Sequence, residues 1–281
     1  MHPLLERWFL LRRIEHSEII QYRIVTVDLN MLSGANIENR REEEEDDFML
    51  AVRKSTDRGH ANLGWLDSKF TFSFADYYDP EFMGFRALRV INEDTIQGGG
   101  GFGAHGHREM EIVTYVLEGG IAHKDSLGSG GVIVPGELQH MSAGTGIRHS
   151  EYNESKTTPA HMLQIWLLPS RAGVTPSYSQ QSFPIAAENN LLHLVASPEG
   201  RNGSLTWVTD ADLYAARLDP GAKIEHAFGQ RKYGWVQVAR GSAVVNGETL
   251  AQGDGLALSD EAEVSIQAGK DGAEALFFEL G

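Results

Sequence analysis

Short runs of β-branched and aromatic residues, closed every few positions by Gly, Asp or Asn, leave this chain few ways to fold. The runs TFSFADYY (71–78), ALRVI (87–91), EIVTYVLEG (111–119), HMLQIWLLP (161–169), LTWVT (205–209) and GWVQVARGSAVVNG (234–247) carry the residue types that strands prefer. Their spacing is that of an all-β sandwich or barrel, and the 31 glycines supply tight turns. Helices are expected to be few and short, around 186–190 and 210–213. A rough duplication is also legible. EIVTYVLEG followed by KDSLGSGGVIVPGEL gives strand, turn, strand in the first half; YGWVQVARG with SAVVNGETLAQGDGLALS repeats that order in the second. Two stacked β-barrels in tandem follow. The Pro-, Ser- and Gly-rich stretch 169–184 reads as the crossing linker.

The first 48 residues read differently. An amphipathic helix over 3–14 and an isolated strand over 22–29 precede RREEEEDD (40–47), whose acidic part repels itself and favours disorder. Residues 1–48 are therefore expected to form a poorly ordered extension. An N-terminal domain is expected over 49–176 and a C-terminal domain over 177–281, with Met49 a candidate start of the functional protein. Composition narrows the function. The absence of cysteine excludes disulfides, thiolate nucleophiles and cysteine-ligated zinc. A net charge of −15 argues against a nucleic-acid partner. No apolar run reaches the length of a membrane span, and charges interrupt the N-terminal apolar residues, so no membrane association and a cytoplasmic location are expected.

Chemistry concentrates between Gly98 and Asn153. A glycine run leads into His105-Gly106-His107, and MSAGTGIRHSEYN carries His149 and Glu151, again one residue apart. Side chains at i and i+2 of a strand share a face. Two facing strands would thus bring three imidazoles and one carboxylate to one metal ion. Nitrogen and oxygen donors suit a divalent first-row ion, whether Fe, Zn, Cu, Ni, Co or Mn. Four protein ligands on an octahedral ion leave two positions open, for a substrate oxygen and dioxygen or for water. His60, His123, His140 and His161 are read as surface or core residues, and His193 and His226 as isolated. Phe102 and Tyr152, flanking the ligands, either line an apolar pocket or belong to the core.

The segments GWLDSKFTFSFADYYDPEFMGFRALRVINED, GFGAHGHREMEIVTYVLEG, HKDS and MSAGTGIRHSEYN resemble the pirin family, a branch of the bicupins. The resemblance is dense from about residue 58 to 178 and fainter beyond. It implies two cupin (jelly-roll) barrels and one metal, commonly iron, in the N-terminal barrel, with ligands at His105, His107, His149 and Glu151. The resemblance further implies that Glu111, four residues after His107, supports the ligands rather than binds. It also implies an activity like that of quercetin 2,3-dioxygenase, which cleaves a flavonol with O2 and releases carbon monoxide. Glu151 would then be a ligand, a catalytic base for the flavonol proton, or both. The expected partners are a small aromatic or polyphenol substrate and O2, on a monomer. The alternative is a regulatory pirin that binds a protein partner. Two positions depart from the family pattern: Gly106 replaces a usual proline, and Phe70 stands where a histidine is common.

Overall fold

Alternation along the strand Glu111–Glu118 sets the architecture. Ile112, Thr114 and Val116 point to one side and Val113, Tyr115 and Leu117 to the other, yet all six are buried. A strand with no solvent face must be covered twice. In the computed structural model, which describes residues 50–281 and the strands Phe9–Ile14 and Gln21–Thr26, each side meets a different layer. The first side faces the interior of an N-terminal barrel. The second faces a C-terminal barrel.

The N-terminal barrel closes a seven-stranded sheet over a four-stranded one. The larger runs in the order Ser177–Ser182, Glu137–Ser142, Glu111–Glu118, Ala160–Leu167, Leu88–Ile96, Leu66–Phe70 and Gly59–Asn62. The smaller runs Gly130–Ile133, Ile121–Asp125, Ile147–Asn153 and Gly101–His107. The C-terminal barrel is a nine-stranded sheet built on the long strands Tyr233–Val245 and Glu263–Leu280. Their pairing is interrupted at Gly241, whose φ is 71° and where a Cβ would lie 2.1 Å from the Gly272 carbonyl oxygen. Only glycine permits that approach. No α-helix occurs among the described residues, so the all-β, two-barrel expectation holds.

The chain does not divide cleanly at 176. Leu50–Arg53 pairs with Gly255–Ser259 of the C-terminal barrel, whereas Ser177–Ser182 pairs with Glu137–Ser142 of the N-terminal one. Strands from each expected domain thus extend the other half's sheet, and the linker stretch supplies a strand of its own. One apolar cluster joins the halves: Val113, Tyr115, Leu163 and Ile165 pack with Leu213, Ala215, Trp235 and Phe278. Trp235 is buried with its ring centre 5.0 Å from that of Phe72, and the Tyr115 hydroxyl donates to Glu274 Oε1 at 2.7 Å.

Several local expectations need correction. The helix expected over 210–213 is the start of the strand Ala211–Leu218, because alternate residues Ala211, Leu213 and Ala215 enter the shared cluster. Residues 186–190 form turns rather than a helix, with Ala187 and Glu188 amides both bonded to the Pro184 carbonyl. TFSFADYY is not a strand: it folds back on itself through a Phe74–Tyr77 bridge, Ala75 having φ of 53°. There Phe74 and Tyr77 pack around the buried Phe70. Phe9–Ile14 lies in a hairpin with Gln21–Thr26, so neither the helix expected over 3–14 nor the unpaired strand is found there. The rest of the expected extension lies outside the described residues.

Because one apolar cluster serves both barrels, they are expected to unfold together. Trp235→Ala should cost about 3–5 kcal/mol, the usual cost of emptying a buried aromatic site. Urea denaturation followed by circular dichroism and by fluorescence measures this. Coincident transitions at a lower midpoint are expected; separate transitions for wild type would contradict the shared core.

Candidate metal centre

The strand Ile147–Asn153 turns Ile147, His149, Glu151 and Asn153 inward and leaves Arg148 and Tyr152 exposed. Its antiparallel partner Gly101–His107 sets His105 directly opposite His149. The register then slips between His149 and Glu151, so that Glu151 faces Phe102. Such a bulge re-aims side chains, and it lets Phe102, His105 and His107 share the barrel side despite unequal spacing. Gly101 makes the pairing beyond it feasible: a Cβ there would lie 2.5 Å from the Glu151 carbonyl oxygen.

His105, His107 and His149 converge. Their ring centres are 4.4 to 4.9 Å apart, and one nitrogen from each falls within 4.8 Å of the others. His105 Nδ1 donates to the Gly103 carbonyl at 2.8 Å, leaving its Nε2 lone pair free. His149 Nε2 is buried without a partner. His107 is pushed down to about 3 by burial and by His149 and His105 beside it. Burial also lowers His149 to about 4, outweighing the opposing pull of Glu151. Both imidazoles are therefore neutral at physiological pH. Neutral imidazoles clustered around an unpartnered nitrogen fit a borderline divalent ion.

Glu151 lies on the same inward face but is held deeper. Thr114 Oγ1 donates to its Oε1 at 3.0 Å and Gln164 Nε2 to its Oε2 at 2.8 Å. Burial favours protonation, but His123, His149 and Thr114 overcome it and hold the carboxyl at about 2. Its oxygen gathers with His123 and His149, and no single choice of donor atoms places all four expected ligands within 4.8 Å. The structure thus brings three expected ligands to one centre and sets the fourth beside it, sharing His149.

Other expected roles move. Glu111 does not support this site: it points from the opposite side of its strand toward the C-terminal barrel. There it accepts from His140 Nε2 at 2.7 Å, Ser142 Oγ at 2.6 Å and the Val208 amide at 3.1 Å. His123, expected as a surface or core residue, is buried, and it lies beside Glu151 and His149. The signal was present, since Asp125 stands two residues after it on the strand Ile121–Asp125. Tyr152 faces outward, while Phe102 packs edge-on against Trp65 at 5.2 Å. The apolar wall near the histidines comes instead from Trp166, whose ring stands edge-on to His107 at 4.9 Å, with Ile112, Met141 and Ile147. Alternation places Trp166 on the same face as Gln164, two residues before it. In the C-terminal barrel His226 is bonded to Glu279 at 3.0 Å and His193 to the Glu188 carbonyl at 2.9 Å.

A further acid lies inside this barrel. Asp94 accepts from Ser68 Oγ and is pushed up by burial to about 7, from an ordinary 3.8. Between those values the folded chain holds a proton that the unfolded chain has lost. Stability from this group is therefore full below about pH 4 and falls as pH rises toward and through 7. Asp94→Asn should raise the melting temperature at pH 8 and leave it nearly unchanged at pH 4, a difference of about 1–4 kcal/mol. Equal effects at both pH values would contradict the assignment.

The Pirin family model matches residues 51–167, and that of the quercetinase C-terminal cupin domain matches residues 194–280. A protein of Escherichia coli K12 named quercetin 2,3-dioxygenase is 50% identical over 232 residues, 83% of this chain and 99% of that one. The crystal structure of YhhW from Escherichia coli superposes with a TM-score of 0.79 at 49% identity, covering 83% of this chain and 98% of that one. A structure of the bacterial pirin YhhW in complex with nickel(II) gives 0.78 at 49% identity, covering 83% and 99%. With half of the aligned residues identical across nearly the whole of that relative, the chain belongs to the pirin family.

Proposed function

We propose that the protein is a metal-dependent dioxygenase of the quercetin 2,3-dioxygenase type, opening the ring of a flavonol or related enol with O2. The observation that carries this reading is the convergence of His105, His107 and His149 inside the N-terminal barrel. The 50% identity to a protein named for that activity supports it. Iron(II) is the resident ion we infer, because nitrogen and oxygen donors suit it and reaction with O2 favours a redox-active centre. Nickel(II), found with a close relative, satisfies the same donor chemistry.

The three histidines, with Glu151 as the fourth ligand, would hold the ion. When bound, the ion supplies Lewis acidity toward a flavonol oxygen and a route for electrons to O2. The chain's own residues do the rest. Trp166, Ile112, Met141 and Ile147 offer an apolar wall against which a flat aromatic ring excludes water. Glu151, ionised and accepting from Thr114 Oγ1 and Gln164 Nε2, offsets positive charge. A carboxylate held at about 2 competes weakly for a proton at neutral pH, so the ligand role outweighs the base role.

Protein loaded with iron(II) or nickel(II) and supplied with quercetin in air is expected to consume the flavonol and release carbon monoxide. His149→Ala should lose metal and reduce turnover by more than the roughly 10–100-fold typical of losing a supporting partner. Retained metal and unchanged turnover in that variant would refute the reading. Trp166→Ala should raise KM about tenfold, the loss of about 1.4 kcal/mol of aromatic contact, with kcat less affected.

A further inference from the structure

The nitrogen of His149 that faces away from its fellow ligands has an unusual neighbour. His149 Nδ1 lies 3.4 Å from Nδ1 of His123, whose ring is wholly buried. On the far side of that ring, His123 Nε2 lies 3.5 Å from Asp125 Oδ2. Neither of these two atoms has a hydrogen-bond partner, and both are buried. Each is therefore a buried polar atom in want of a partner, and the two lie within 3.5 Å of one another. Asp125 is fixed for this purpose, because its other oxygen accepts the Leu127 and Ser129 amides at 2.8 and 3.0 Å. The His123 ring is fixed too, packed against Tyr178 with centres 4.8 Å apart.

We propose that Asp125, His123 and His149 form a hydrogen-bonded chain that holds the His149 ring and its tautomer for metal binding. In this arrangement His149 Nδ1–H donates to His123 Nδ1, and His123 Nε2–H donates to Asp125 Oδ2. Each imidazole carries one proton and is neutral. The lone pair of His149 Nε2, the buried nitrogen without a partner, is then directed to the ion. The opposite arrangement, with His123 Nδ1–H turned to Glu151 Oε1, is longer at 3.9 Å. It would also place a proton on His149 Nε2 whenever its Nδ1 accepts. Metal-binding histidines ordinarily donate their second nitrogen to a carboxylate or carbonyl. Here a second histidine is interposed, and the carboxylate acts through it. His123 and Asp125 are positioning residues.

The inference rests on His149 being a metal ligand, so the test reads ligand and chain separately. Protein substituted with cobalt(II) is titrated against a competing chelator, and its visible ligand-field spectrum is recorded for wild type, Asp125→Asn, His123→Phe and His149→Ala. Asp125→Asn keeps the oxygen that caps the turn, and His123→Phe keeps the ring that packs on Tyr178, so one folded variant suffices. The expected result is an affinity loss of about 10–100-fold in Asp125→Asn and His123→Phe, with a shifted cobalt band. Wild-type affinity and spectrum in either folded variant would overturn the chain. So would a weaker affinity with an unshifted band, which marks a merely structural role. If His149→Ala itself retains wild-type affinity, the ligand assignment fails first.

Discussion

A single strand carries inward an imidazole and a carboxylate that cost free energy to bury, and the N-terminal barrel is arranged around meeting that cost. An ionised carboxylate withdrawn from water loses several kcal/mol unless it is paired and hydrogen-bonded. Glu151 is met by Thr114 from one strand of the facing seven-stranded sheet and by Gln164 from the next. His149 is met by His105 across the strand pair. These partners come from both sheets, so the site exists only when the barrel is closed. Apolar clusters lie on either side of this polar belt: Leu66, Ile96, Val116 and Ile121 in one, Ile112, Met141 and Ile147 in the other.

Closure in turn depends on the second barrel. The strands that supply Thr114 and Gln164 also present Val113, Tyr115, Leu163 and Ile165 to the C-terminal half. Removing that cover would expose the outer face of the sheet whose inner face holds the site. The crossing strands Leu50–Arg53 and Ser177–Ser182 strengthen the coupling, since each half's sheet is extended by chain from the other side of the expected boundary. Glu111 marks the division. It stands close in sequence to the ligands, yet it ties His140 and Ser142 to the Val208 amide on the interbarrel side.

Much of this was legible because period-two alternation maps directly onto barrel inside and outside. His105, His107, His149 and Glu151 could be placed on one face by spacing alone. What remained hidden depended on three-dimensional neighbours. TFSFADYY has strand composition, but its aromatic residues fold back upon Phe70. Residues 210–213 look like a short helix until the shared cluster claims Ala211 and Leu213. The bulge opposite Ser150, which decides how His105 meets His149, has no signature beyond glycines common elsewhere in the chain. His123-x-Asp125 has the same one-residue spacing, but spacing alone does not show that His123 meets Glu151 and His149 of another strand.

The central claim is that three imidazole nitrogens grip one ion inside the leading barrel. Anomalous diffraction at the metal absorption edge, from crystals of the metal-loaded protein, tests it most directly. A single strong peak is expected about 2 Å from a nitrogen of each of His105, His107 and His149. A peak elsewhere, or one contacting fewer than two of these rings, would contradict it.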